Sequence, residues 1–218
     1  AMAQSDYPSR LIRVVVPWPP GGPADVVARL LAEPLRAELG QTLLIDNKAG
    51  AAGIIGSEIV ALAPPDGYTL LYTSSGLNMV AAMGTPTSYK MPDSFTPVVN
   101  VVWTPFLLAA HPSFEFKTPQ DLVALAKSKP GQLIYAHAGY GSPSHFATEL
   151  FLARTGIKVT GVPYRGAPQA LLDVIGGRAA FIFTPASTAL AQIRDGRVKA
   201  LAVTSTKRLE LAPDIPTI

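Results

Sequence analysis

The sequence predicts an α/β fold of parallel strands arranged in two lobes, on three observations. Residues 14–35 read as a β-branched strand, a Pro/Gly turn and a helix. Residues 133–151 repeat that order far along the chain, with a Gly/Ser turn. Between and after them, apolar strand patterns alternate with helical ones, the βαβαβ rhythm of a parallel sheet flanked by helices. Ligands of such sheets sit at the carboxyl ends of the strands.

The elements follow in order. Residues 11–16 form the first strand. Val26, Val27, Leu30 and Leu31 share one helical face, so 23–33 is a helix, which Pro34 should end or kink. Residues 42–46 are a strand, 47–53 (NKAGAAG) a loop, 54–63 a helix and 68–73 a strand ending at Ser74, Ser75 and Gly76. Residues 95–110 are apolar and β-rich, which suits a strand crossing between lobes, with the boundary near Trp103. Thr118, Pro119 and Asp121 make the capping box of a helix over 118–129. Residues 133–138 are a strand, and Ser142 caps a helix that Pro143 opens, with Phe146, Leu150 and Phe151 as its apolar face. Strands at 159–162, 180–183 and 200–204 and helices at 169–175 and 190–194 complete the second lobe.

Composition bounds the function. The chain has 218 residues, enough for one large domain or two smaller ones. Apolar residues make up 48%, but no apolar run reaches the roughly 18–20 residues of a membrane span. The net charge of +3 is scattered, which mildly favours anionic ligands and leaves no nucleic-acid footprint. There are no cysteines, hence no disulfide and no thiolate chemistry, which fits an oxidising compartment. Ala1-Met2-Ala3 fits either a signal-peptidase site, making Gln4 the first mature residue, or a remnant of cloning. Pro216-Thr217-Ile218 follows directly on a loop, and a further segment is expected beyond it.

The turn at 17–22 carries the first chemistry. First-turn N–H groups have no partner inside their helix, and the helix dipole favours negative charge there. With four prolines lacking an N–H, the donors are Trp18, Gly21, Gly22, Ala24 and Asp25. An ordinary βα loop whose glycines only make the turn is the alternative; neither G-x-G-x-x-G nor a P-loop is present. The turn at 139–142 supplies a second such nest. His145 with Ser142, Ser144 and Glu149 could be drawn as a catalytic set, but closeness in sequence does not make a triad, and Pro143 after Ser142 breaks the nucleophile elbow. His111 and His137 stand isolated in sequence, and no metal-ligand spacing appears. Asp25 is expected to cap its own helix or bind water. Trp18 is either a wall over the ligand or an edge residue, and Arg165 either a solvated arginine or a partner for a distal carboxylate.

The segments VPWPPGGPAD (16–25), IDNKAGAAGIIGSE (45–58), PPDGYTLLY (64–72), GYGSPSHFATELF (139–151), VPYRGAPQALLDVIGG (162–177), VKALAVTSTKR (198–208) and PDIPTI (213–218) together resemble the Bug-type solute-binding receptors of tripartite tricarboxylate transporters. The resemblance runs from about Leu11 to the end. It implies an α/β, two-lobed periplasmic-binding-protein fold of type II with a ligand cleft between the lobes, 1–102 forming the first and 103–218 the second with the start of the return. It implies a periplasmic receptor without enzymatic activity or cofactor that binds a carboxylate solute, acts as a monomer and serves a membrane permease. The ligand residues carried over are Trp18, Gly21, Gly22 and Asp25, then Gly141, Ser142 and His145, with Ser74, Ser75, Tyr164 and Arg165 as cleft contacts. Members often have an acidic residue where Thr184 stands here, and they commonly continue past PDIPTI; Thr184 suggests a ligand without an ammonium group. The alternatives are the effector-binding domain of a regulator, marked by a helix-turn-helix segment, and a hydrolase or isomerase acting on carboxylates.

Overall fold

The same strand order, with the first parallel strand between the next two, recurs in each of the two units into which the chain divides, at Pro97/Val98. The computed structural model describes residues 7–218, so the reading of Ala1–Gln4 lies outside the described residues.

The first unit holds β1 (Ile12–Val16), α1 (Pro23–Leu39), β2 (Leu43–Asn47), a 3-10 turn (Ala51–Gly53), α2 (Ile54–Ala61), β3 (Thr69–Leu71) and α3 (Gly76–Ala82). The sheet order is β2-β1-β3, all parallel, with Val14 opposite both Ile45 and Leu70. In the central strand the successive residues Val15 and Val16, which point to opposite faces, are both fully buried, as a strand covered on two sides requires.

The second unit holds β4 (Phe106–Ala110), α4 (Pro119–Ser128), β5 (Ile134–His137), α5 (Pro143–Thr155), β6 (Thr160–Pro163), α6 (Ala167–Ile175), β7 (Phe181–Pro185), α7 (Ala186–Arg194) and β8 (Lys199–Val203). Its order is β6-β5-β7-β4-β8, with β4 antiparallel to β7 and β8. Alternation along the strands sorts the core onto two faces. Leu107, Ile182 and Val203 pack with Leu171 and Val174 of α6 and Ala189 of α7. Leu108, Phe181, Phe183 and Leu201 pack with Leu122 and Ala126 of α4. The capping box of α4 forms as expected: Thr118 Oγ1 accepts from Asp121 N, and Asp121 Oδ2 accepts from Thr118 N.

Four expectations are corrected. Helix α1 does not stop at Pro34 but runs on to Gly40, which closes it in a left-handed conformation. Pro34 costs one hydrogen bond, to the Leu30 carbonyl, and Leu30 is 69% exposed, so water can replace it. The inward stripe of α1 is Asp25 and Ala28 rather than the face through Val26 and Leu30. The inward stripe of α5 is Ser144 and Thr148, while Phe146 and Leu150 face out and only Phe151 packs inward, on Phe183. In both helices polar contacts to the preceding turn set the rotation about the axis. Finally, only 106–110 of the expected 95–110 strand is one. Residues 98–103 have no ladder partner among the described residues, Pro97 and Pro105 lack an N–H, and Trp103 is 87% exposed. Helix α3, with no clear periodicity, was not anticipated.

Helix α2 comes close to the turn after β1 at Gly56. A Cβ there would lie 2.7 Å from Pro17 Cβ and 2.9 Å from Pro17 Cα. The obstacle is largely backbone and cannot rotate away. We expect Gly56→Ala to lower unfolding free energy by about 1–3 kcal/mol in urea titrations with an unchanged slope; stability within a few tenths of a kcal/mol would mean that the two segments are not held together this tightly.

Candidate functional site

Strand order locates the sites. In an order 2-1-3 the connections leave β1 and β3 toward opposite sides, so a crevice opens at their carboxyl ends. In the first unit that point carries the turn before α1 and Ser74 after β3. In the second unit β5 and β7 stand in the same relation, and it carries the turn before α5 and Thr184 at the end of β7.

The two turns are built alike. Gly22 N donates to Pro19 O at 3.2 Å, and Ser142 N to Gly139 O at 3.1 Å. Gly21 and Gly141 have φ of 75° and 81°, which a side chain would strain. Each helix then opens with a proline, Pro23 or Pro143, behind an extended cap residue, Gly22 or Ser142. Each glycine N–H is captured by the side chain four residues on. Gly21 N donates to Asp25 Oδ2 at 2.8 Å, and Gly141 N to His145 Nδ1 at 3.4 Å. The amides of Gly21, Gly22, Gly141 and Ser142, expected to be free for a ligand, are therefore engaged in shaping their own turns. Those of Trp18, Ala24 and Asp25 in the first turn, and of Tyr140 and Ser144 in the second, have no partner among the described residues.

Behind each captured amide sits a pair of an acid and a base one helical turn apart, acid first in one unit and base first in the other. Asp25 is buried and takes Arg29 Nε at 3.0 Å on both oxygens. Burial would raise its pKa, but the hydrogen bonds from Arg29, Gly21 N and Asn47 outweigh it and hold the carboxyl below the usual range. Asn47 accepts from Arg29 Nη2 and donates to Trp18 O, tying β2 to the same turn. In the second unit His145 Nε2 lies 3.7 Å from Glu149 Oε1, which also accepts from Tyr135 Oη at 2.7 Å. Burial and that carboxylate push the tyrosine hydroxyl well up.

His137 is not isolated. Its ring is fully buried, 4.6 Å from the His145 ring and 4.9 Å from Tyr140, and among the described residues neither ring nitrogen meets a hydrogen-bond partner of good geometry. The catalytic set drawn from Ser142 and His145 is not formed. Ser142 Oγ accepts from the backbone N of His145, and the imidazole is turned to Gly141 and Glu149. Ser142 caps α5 as expected. Ser144 Oγ accepts from Ala138 N and fastens the strand to the helix.

The remaining expected residues divide. Ser74 Oγ accepts from Gly76 N and shapes the start of α3, and Ser75 is exposed. Tyr164 Oη donates to Asp173, which Arg178 also holds; burial and the Asp173 carboxylate push the phenol up to about 12. Its hydroxyl is thus committed inside its own unit. Arg165 is exposed. Thr184 is fully buried with its hydroxyl unpartnered, as are the hydroxyl of Thr188 and Trp18 Nε1. Sequence reasoning missed Arg29, Asn47, Tyr135 and Thr188, whereas Glu149, drawn beside His145 in the catalytic set, does face that ring. The i,i+4 spacing of Asp25/Arg29 was the signal available for the first of them. Among the described residues there is no group of three metal-ligating side chains and no helix long and apolar enough to cross a membrane.

Burial pushes the His137 pKa down from 6.5 to about 4. The unfolded chain therefore binds a proton that the folded one refuses between those values, and stability is full above pH 6.5 and falls as pH drops toward 4. The expected loss is up to about 3 kcal/mol. His137→Phe should flatten that limb in denaturation series from pH 7 to 4; an unchanged limb would place the proton-coupled group elsewhere.

Comparison with known proteins identifies the family and the fold. Residues 27–218 match the family described as the tripartite tricarboxylate transporter family receptor. Protein BugT of Bordetella pertussis is 38% identical over 214 residues, covering 97% of this chain and 66% of BugT. A protein from the tcbD-tcbE intergenic region of a Pseudomonas species is 38% identical over 212 residues, 63% of its length. The chain thus spans just under two thirds of these relatives. The solved periplasmic binding protein BugD superposes with a TM-score of 0.91 at 36% identity, covering 97% of this chain and 71% of BugD. MatC of Rhodopseudomonas palustris, solved with malate, gives 0.91 at 34% identity over 97% of this chain and 72% of its own. An R. palustris protein solved with adipate also gives 0.91 at 34% identity, over 97% and 71%. The fold is the two-lobed α/β fold of these binding proteins, and the chain belongs to the tripartite tricarboxylate transporter receptor family.

Proposed function

We propose that the chain binds a small carboxylate-bearing solute in the periplasm and delivers it to the membrane permease of a tripartite transporter. The observation that carries this reading is the pair of like-built turns. Each leaves helix N-terminal amides without a partner at the switch point of its sheet, where an anion is favoured. The malate and adipate bound by two relatives are of the expected chemistry. On this reading Trp18, Gly21, Gly22 and Asp25 form one half of the grip and Gly141, Ser142 and His145 the other. Gly21 and Asp25 act through the shape of the turn, and the Trp18, Ala24 and Asp25 amides touch the carboxylate. Ser74, Ser75, Tyr164 and Arg165 border the site. The buried Thr184 hydroxyl faces the far end of the solute, which is an acceptor rather than an ammonium group. The protein is a monomer without cofactor, and a leader peptide directs it to the periplasm.

Calorimetry with malate, adipate and their methyl esters tests this. Each charge-assisted hydrogen bond lost on esterification should cost about 1.5–3 kcal/mol, so the esters should bind at least tenfold more weakly. Equal affinity for acid and ester would sink the carboxylate reading.

Ser142→Ala removes a cap from α5. It should cost about 1 kcal/mol of stability and also weaken binding. Gly22→Val adds bulk beside Pro19 O, where a Cβ already lies at 3.2 Å, and should abolish the ligand-induced rise in melting temperature. A normal rise in both variants would show that the turns do not hold the solute.

A further inference from the structure

The reversed order of acid and base in the two pairs has a chemical consequence. At the first turn the acceptor for the glycine amide is a carboxylate, Asp25, backed by Arg29. At the second it is an imidazole nitrogen. Because Gly141 N–H points at Nδ1, that nitrogen must carry its lone pair and the ring proton must be on Nε2, which faces Glu149 Oε1. The ring is fixed from both sides, since Glu149 is itself held by Tyr135.

We propose that His145 is a positioning residue whose unprotonated Nδ1 holds the turn 139–142 in its anion-receiving form, and that a second proton on the ring releases this turn while Asp25 keeps the first one in place. This rests on the proposed function for what the turns receive, not for the hold itself. A doubly protonated imidazole would set two N–H donors head to head, and the Gly141 end of the turn would have to give way, while Ser142 stays anchored by its N–H to Gly139 O and by its Oγ to His145 N.

The groups around the ring decide the direction of the effect. His137 and Tyr135 approach from β5, Tyr140 from the turn and Glu149 from α5. Burial lowers the His145 pKa against the pull of Glu149, so the acceptor form prevails at neutral pH and is lost below the ordinary histidine range. An imidazolium would also attract an anion. With the turn released, however, the Tyr140 and Ser144 amides no longer converge, and affinity falls rather than rises. Asp25, held below the usual carboxylate range, stays an acceptor throughout this interval. One half of the grip is therefore acid-labile and the other is not.

Hydrogen exchange at the Gly141 amide in the absence of any solute, followed from pH 7.5 to 5 with Gly21 as internal reference, tests the hold itself. Protection of Gly141 should fall with pH in the wild type while that of Gly21 stays level. In His145→Leu the Gly141 protection should be lost at pH 7.5. The double variant His145→Asp/Glu149→Arg copies the first turn's pair into the second, and should keep protection at every pH. Malate titrations should show about tenfold weaker binding for His145→Leu at pH 7.5, the loss of one positioning hydrogen bond. In the double variant malate affinity should lack the wild type's excess loss on acidification. Pairing the two pH profiles cancels the titration of malate itself, and the wild-type series and the double variant decide the matter even if His145→Leu does not fold. Gly141 protection that is flat with pH in the wild type, or malate affinity that rises on acidification relative to the double variant, would overturn the proposal. If malate binds no variant while Gly141 behaves as expected, the solute reading fails and the positioning role stands.

Discussion

A helix that opens with proline directly after a parallel strand leaves its first amides aimed past the strand's carboxyl end, with no acceptor inside the helix. The chemistry at the carboxyl edge of each sheet depends on how those amides are disposed of. In both units the chain meets the requirement halfway. One glycine amide is taken by a side chain a helical turn ahead, and the next amide by a carbonyl three residues back, which makes a rigid turn. The amides that remain are held in position by those already satisfied. A buried aspartate beside an anion site looks self-defeating, but Asp25 is neutralised by Arg29 and spends its oxygens on Gly21 and Arg29. It shapes the turn without repelling what the turn receives.

The same anchoring explains which parts of the fold could be read in advance. The strand, glycine turn and proline-led helix were legible because proline, glycine and caps act locally: Ser142 and the Thr118/Asp121 box appear where their spacing put them. Hydrophobic periodicity failed on α1 and α5 for one shared reason. Asp25 and Ser144 must reach back to the turn, and this rotates each helix so that its inward stripe is small or polar: Ala28 in one case, Thr148 in the other. Phe146 and Leu150 are then carried outward. A periodicity argument assumes that burial alone chooses the face, and at a functional turn polar contacts choose it.

Other misses have different causes. Pro34 predicts an end or a kink because it removes a hydrogen bond, but the bond it removes lies on the solvent side, where the loss is small. Residues 98–103 have strand composition but no ladder partner among the described residues, and composition cannot supply one. His137 looked isolated because proximity in sequence is no guide to proximity across a strand–turn–helix. Its ring meets His145 only once the turn folds α5 back over β5.

The likeness of the two turns also shows where they differ, and on the proposed function those differences would distinguish one solute from another. A backbone amide offers the same donor to every carboxylate, so the repeated part of the design recognises a class of ligand. The side chains that break the repeat are not interchangeable. Ser74 spends its hydroxyl on the start of α3, whereas Thr184, at the matching strand end, is buried with its hydroxyl unspent, and Thr188 beyond it likewise. Leaving a buried hydroxyl unpaired costs on the order of 1–3 kcal/mol. On the proposed function, a solute acceptor reaching this strand end would recover part of that energy.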